Sequence, residues 1–248
     1  MARRPRMVGM SETVTAAEIA ALIDHAILKP ELTRAEVDAD LDLAARYGIF
    51  SVCVRPSDVA HAVQRLAGSG VAVGTVIGFP HGTTTTQTKV AESRQALADG
   101  AIELDMVLNI GRLRSGLIDD VEADIAAVVE AAGDHVVKVI LETAYLTDAE
   151  IEAGSKAAER AGAAFVKTST GFAGGGATVP HVTLMRASVG PDVQVKASGG
   201  VRDLDTLLAM RALGITRFGT SATATILDDA AAREAGGSGT GASDDSSY

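Results

Sequence analysis

Short runs rich in valine and isoleucine alternate along this chain with longer segments of helical period, and that alternation leaves few folds open. Eight runs can be counted: Ile23–Ile27, Ile49–Arg55, Val71–Phe79, Ile102–Leu108, Val136–Glu142, Phe165–Thr168, Val193–Ala197 and Arg217–Thr220. Strands of this kind with helices between them are the mark of βαβ units on a parallel sheet. Eight such units close most naturally into a single (β/α)8 TIM barrel, of the α/β class, whose active site lies at the C-terminal ends of the strands. An open doubly wound sheet is the alternative. It is disfavoured because no G-x-G-x-x-G follows the first run and no G-x-x-x-x-G-K-[ST] occurs anywhere.

The helical segments carry their own start and stop signals. Thr33 with Glu36, and Thr147 with Glu150, have the spacing at which a hydroxyl and a carboxylate cap each other's free amides. Val37, Leu41 and Ala44 then fall on one helical face, and Asp203 precedes Leu204, Leu207 and Leu208. Gly48, Gly100, Gly162 and Gly214 follow helical stretches, so each helix stops where a strand can begin.

At 248 residues, 47% of them apolar, the chain can bury one large core. We expect a leader over residues 1–14, a barrel over 15–235 and a flexible tail over 236–248, rich in Gly, Ser and Asp. The leader has three arginines but no apolar segment behind them, unlike a secretion signal. An aromatic content of 3%, no tryptophan and a net charge of −10 argue against nucleic-acid binding, which calls for a basic patch. No apolar run approaches the roughly 20 residues needed to span a bilayer. Cys53 is the single cysteine, so an intrachain disulfide is excluded and a cytoplasmic location is expected. The histidines show no metal-ligand spacing, so no metal is expected. A homodimer is the expectation by base rate.

The chemistry is carried by charge inside otherwise apolar runs. Asp105 sits in IELDMVL, Lys167 in FVKTSTG and Lys196 in VQVKASGG. A buried ionised group is costly unless paired, and it responds by shifting its pKa. At strand ends in a barrel these three side chains can converge. A lysine attacks a carbonyl only as the neutral amine, and a second ammonium beside it disfavours its protonated form. Two lysines and a carboxylate then supply a nucleophile, an electrostatic tuner and a proton-transfer group. Gly199 and Gly200 follow Lys196, and Gly219-Thr-Ser221 closes the last run. Loops after strands 7 and 8 are the usual phosphate site of a barrel, so the residues point to a Schiff-base aldolase acting on a small phosphorylated sugar. The residues alone leave open which lysine-dependent barrel aldolase this is, or a barrel that only binds a sugar phosphate.

The motifs in combination resemble one family. Ile23-Asp-His, Val52-Cys-Val-Arg55, Val76-Ile-Gly-Phe-Pro80, Asp105-Met-Val-Leu-Asn-Ile-Gly111, Lys138-Val-Ile-Leu-Glu-Thr143, Val166-Lys-Thr-Ser-Thr-Gly-Phe172, Gly175-Gly-Ala-Thr-Val179, Val195-Lys-Ala-Ser-Gly-Gly-Val-Arg202 and Arg217-Phe-Gly-Thr-Ser221 are similar, in this order, to the 2-deoxyribose-5-phosphate aldolases of the class I, DeoC-like type. The resemblance runs from about Thr15 to Leu227. It implies a TIM barrel without metal or organic cofactor that joins acetaldehyde to D-glyceraldehyde 3-phosphate, reversibly, giving 2-deoxy-D-ribose 5-phosphate. Carried over by position, Lys167 is the Schiff-base lysine, Lys196 the lysine that lowers its pKa, and Asp105 the proton shuttle. The phosphate rests on the amides of Gly171, Gly199, Gly200 and Ser221, while Asp24 and Cys53 line the pocket with Thr170 beside the substrate. Two features stand apart. Ala26 replaces the threonine usual in Asp-His-Thr, which removes a hydroxyl and bears on substrate preference. The final residue is Tyr248, and in some members a terminal tyrosine reaches the active site. Cys53 is read as a small buried group, His81 as a loop residue and Glu142 as a supporting one.

Overall fold

The computed structural model describes residues 14–237; the leader up to residue 13 and the tail from 238, Tyr248 included, lie outside the described residues. Eight parallel strands pair in chain order and close, the first against the last: β1 (Ile23–Ile27), β2 (Ser51–Val54), β3 (Ala72–Ile77), β4 (Glu103–Val107), β5 (Val136–Ile140), β6 (Phe165–Lys167), β7 (Gln194–Ser198) and β8 (Arg217–Thr220). The helices are α1 (Ala16–Ala20), α2 (Arg34–Tyr47), α3 (Val59–Arg65), α4 (Thr86–Ala98), α5 (Ile110–Arg114), α6 (Ile118–Ala132), α7 (Asp148–Arg160), α8 (Val179–Ser188), α9 (Leu204–Arg211) and α10 (Thr223–Glu234). The expected barrel is the observed one.

The start signals act as written. The capping boxes at Thr33 and Thr147 form, a third at Thr15 opens α1, and the Asp203 side chain caps α9. Gly48 closes α2 in the left-handed conformation, φ 58°, which a glycine adopts without the steric penalty of a Cβ. Several strands are shorter than the apolar runs. β3 stops at Ile77 because Gly78 turns the chain with φ 62°. β5 stops before Glu142, which stands at φ 59° and cannot continue a ladder.

Side chains alternate across each strand, and this period of two divides the protein into two unlike cores. Ile23, Val52, Val73, Leu104, Val137, Val166, Val195 and Phe218 point outward into the aliphatic layer beneath the helices, with Val37 and Leu41 of α2 among their partners. Their neighbours in sequence point inward, where the usual branched aliphatic layers of a barrel are largely replaced by charge. Ala26, Leu28, Cys53 and Val76, with Phe79, form a separate apolar cluster on the β1–β3 side of the interior.

Candidate active site

The strand register sets the charged side chains side by side. Asp105 pairs in register with Lys138, Lys167 with Lys196, and Lys196 with Arg217. Residues opposite one another in parallel strands share a face, so all of them project inward. The Lys167 Nζ and the Lys196 Nζ both donate to one oxygen, Oδ2 of Asp105, each at 2.8 Å. The other oxygen of Asp105 accepts from Lys138 at 2.8 Å, and Lys138 also donates to Glu103 at 2.7 Å. Lys196 reaches Asp24 at 2.5 Å, and Asp24 in turn accepts from Ser51 and from Arg217. Gly219 makes room for this, since a Cβ there would stand 3.2 Å from Cε of Lys196 and 2.8 Å from Cβ of Ser198.

None of these groups has solvent to stabilise it, and each pKa moves accordingly. Burial pushes the Lys167 ammonium below its ordinary value; the Asp105 carboxylate opposes the shift and the Lys196 ammonium adds to it. Burial acts downward on Lys196 too, but Asp105 and Asp24 outweigh it and hold that lysine above the usual range. For Lys138 burial is likewise outweighed, by Asp105, Asp24 and Glu103. Burial would raise Asp105 and Asp24, yet the surrounding cations keep both carboxyls well below the ordinary range. Two lysines in contact with one carboxylate oxygen thus differ in charge preference, Lys167 toward the amine and Lys196 toward the ammonium.

Among the openings at the C-terminal end of the strands, two border the charged interior's lysine-bearing strands. A cavity of about 350 Å³ is lined by His81, Arg114, Glu142, Tyr145, Thr170 and Phe172, among others. The Glu142 carboxylate accepts from both the amide and the hydroxyl of Thr170, which pins the end of β6, and burial raises its pKa. The second opening is a narrow cleft between the ends of β7 and β8, lined by Gly199, Gly200, Val201, Arg202, Gly219, Thr220, Ser221 and Ala222. Gly199 and Gly200 stand at φ 76° and 79°, a turn open to glycine and strained for a side chain. The cleft sits where a barrel presents backbone amides to an anion. The DeoC/LacD family aldolase profile matches residues 15–240.

The chain belongs to the DeoC/LacD family of aldolases. It is 56% identical over 203 residues to deoxyribose-phosphate aldolase 2 of Staphylococcus aureus strain MRSA252, a match covering 82% of this chain and 92% of that protein. Among solved structures, the aldolase QR15 superposes with a TM-score of 0.84 at 39% identity, covering 88% of this chain and 97% of that one. A deoxyribose phosphate aldolase from Aeropyrum pernix superposes at 0.80 with 30% identity, covering 87% and 92%.

Within this family member, Lys167, Lys196 and Asp105 come together as the sequence leads one to expect, and Gly199, Gly200 and Ser221 share one cleft. Gly171 is not among the residues lining that cleft, although it follows Thr170 at the mouth. Asp24 lies deeper than a pocket-lining residue would, 1% exposed and wholly engaged with Lys196, Arg217 and Ser51. Cys53 is buried in the apolar cluster, and burial first, then Asp105, pushes its thiol up to about 11. The residues that sequence reasoning passed over are Glu103, Lys138, Arg217 and Arg202. The first three carried the same signal as Asp105, a charge within an apolar run: Glu103 stands two places before Asp105, Lys138 sits in VVKVI and Arg217 opens RFGT. Among the described residues no helix is long and apolar enough to cross a membrane, and no cluster of His, Cys, Asp and Glu has the arrangement of a metal site.

Proposed function

We propose that this chain is a class I aldolase that reversibly cleaves 2-deoxy-D-ribose 5-phosphate to acetaldehyde and D-glyceraldehyde 3-phosphate, with Lys167 as the Schiff-base nucleophile. The observation that carries the reading is the shared contact of Lys167 and Lys196 with one oxygen of Asp105. A lysine flanked by a permanent ammonium, out of solvent, holds its own proton weakly. The names of its relatives supply the substrate.

In the cleavage direction the neutral amine of Lys167 adds to the C1 aldehyde of the open-chain sugar, and loss of water gives an iminium. Its positive nitrogen draws electrons from the C2–C3 bond as the C3 hydroxyl gives up its proton. That proton passes through water to the Asp105 carboxylate, which holds it until it is returned through water to the enamine carbon. Glyceraldehyde 3-phosphate departs, the remaining enamine takes a proton at carbon, and hydrolysis frees acetaldehyde and Lys167. The phosphate sits on the amides of Gly199, Gly200 and Ser221, with Arg202 beside them, and Gly171 and Thr170 close the site from β6. It takes no part in bond making but orients C3 against the amine. Asp24 supports Lys196, and Cys53 gives the two-carbon end an apolar wall. No metal or organic cofactor enters this chemistry.

Borohydride reduction in the presence of acetaldehyde tests the assignment. A covalent ethyl group on Lys167, and loss of both label and deoxyribose 5-phosphate cleavage in Lys167→Leu, are expected. Full cleavage by Lys167→Leu, or cleavage of a keto acid or ketose phosphate in place of the deoxysugar, would refute it. A homodimer is the assembly to test by light scattering, since an A. pernix relative is described as having a unique tetrameric structure. The cytoplasm is the compartment that suits a chain with one unpaired cysteine.

A further inference from the structure

The ion-paired network inside the barrel holds an odd number of charges. Asp24, Glu103 and Asp105 are the acids, and Lys138, Lys167, Lys196 and Arg217 the bases; the most accessible of the seven, Arg217, is 8% exposed. Fully ionised, the set carries one surplus positive charge away from water, which is costly, and release of one proton removes it. Arginine does not give up its proton in a protein. Lys138 lies against Glu103 at 2.7 Å, Asp105 at 2.8 Å and Asp24 at 3.6 Å, and Lys196 against Asp24 at 2.5 Å and Asp105 at 2.8 Å. Lys167 has only the oxygen of Asp105 that it shares with Lys196. It is the least compensated cation, and with Lys167 neutral the interior balances, three charges against three.

We propose that Arg217 is a positioning residue for the aldolase chemistry, its permanent charge setting the protonation state of Lys167 from the far end of the barrel interior. This rests on the reading of Lys167 as the Schiff-base amine. The guanidinium donates to Asp24 at 2.8 Å and to Glu103 at 3.2 Å, so part of each carboxylate's compensation is already taken before Lys196 and Lys138 draw on it. It lies 3.6 Å from the centre of the Phe50 ring and 5.4 Å from that of Phe165, contacts that fix a planar cation in place. A chain of contacts leads from it through Asp24, Lys196 and Asp105 to Lys167. The other titratable groups facing Lys167 do not supply the balance. Cys53 of β2 is a neutral thiol in its buried setting, and Glu142 after β5 accepts from Thr170 at the pocket mouth and makes no ion pair with the seven groups of the network.

The test is the pH at which Lys167 becomes reactive, followed as the rate of acetaldehyde labelling of Lys167 under cyanoborohydride, read by peptide mass spectrometry across pH. Arg217→Met leaves an interior that balances with Lys167 protonated, so its midpoint rises by on the order of one pH unit. Below both midpoints labelling falls roughly tenfold against the parent protein, and above them it recovers. Glu103→Gln deletes an anion in a near-isosteric side chain and moves the midpoint down, and it carries the test alone if Arg217→Met does not fold. Arg217→Lys keeps the charge and the midpoint. A merely structural role lowers labelling at every pH without moving the midpoint. Labelled Lys167 with one common midpoint in all the variants overturns the role of Arg217 and leaves the Schiff-base reading standing. An unlabelled Lys167 in the parent protein overturns both.

Discussion

Gly176, on the loop between β6 and α8, offers a way to disturb the cleft between β7 and β8 without changing any group proposed to meet a phosphate. An alanine Cβ there would stand 2.3 Å from the carbonyl oxygen of Gly199 and 2.5 Å from its carbonyl carbon, where ordinary contact begins near 3.4 Å. Both sides of the clash are backbone, so no side chain can swing away and the two segments must part by about 1 Å. They are tied together, because the amide of Ala177 donates to the carbonyls of Gly199 at 2.8 Å and Ser198 at 3.1 Å. The displacement therefore passes into the Gly199–Gly200 turn. A charge-assisted hydrogen bond to phosphate is worth about 1.5–3 kcal/mol, and a shift of about 1 Å carries an amide beyond bonding range. Loss of one such bond corresponds to roughly a ten- to hundredfold fall in kcat/KM. The assay compares Gly176→Ala with the parent protein on deoxyribose 5-phosphate and on deoxyribose lacking the phosphate. The phosphorylated sugar should lose most of that factor while the plain sugar stays within about twofold, since the lysine chemistry is untouched. Equal losses on both sugars, or no loss on either, would show that the cleft between β7 and β8 does not hold the phosphate.

Two other perturbations probe the interior and its surroundings. Lys196→Met leaves two cations against three carboxylates and removes the ammonium that disfavours a second charge beside it, so the Lys167 pKa rises. The neutral fraction near pH 7.5 then drops; cleavage should fall there and climb by up to about tenfold per pH unit as the pH is raised, and a loss independent of pH would contradict the tuning role. In the helix layer, the fully buried Lys89 donates to Asp124 at 2.6 Å and to the carbonyl of Val107 at 2.8 Å, joining α4, α6 and the end of β4. Asp124→Ala strands that ammonium and should cost about 3–5 kcal/mol in urea unfolding while Lys167 labelling persists; a cost under about 1 kcal/mol would mean that the pair is not the brace it looks to be.

What could be read from the sequence was whatever lies in a local pattern. The eight strands follow from Val/Ile runs of the right length, and the capping boxes at Thr33 and Thr147 from a hydroxyl and a glutamate three residues apart. Strand ends were less legible because they depend on single backbone angles, such as those of Gly78 and Glu142, that no run of residues announces. The capping box at Thr15 had the same spacing but opens a five-residue helix, too short to show a period.

Lys167 and Lys196 stood out because each is a charge in an apolar strand, yet Glu103, Lys138 and Arg217 are equally out of place and gave no hint of function when taken one at a time. The reason is that pKa in a closed interior is not a property of a residue or of a pair. Lys167 and Lys196 touch the same carboxylate oxygen at the same distance, so their mutual repulsion treats them alike and cannot decide which one loses its proton. The choice falls to the carboxylates beyond them: Asp24 reaches Lys196 and does not reach Lys167. A nucleophilic lysine in such a barrel is therefore specified as much by where the acids are withheld as by where a second cation is supplied. The register that places Asp24 opposite Gly219 and Ser51, two or more strands away from β6, is what withholds one here.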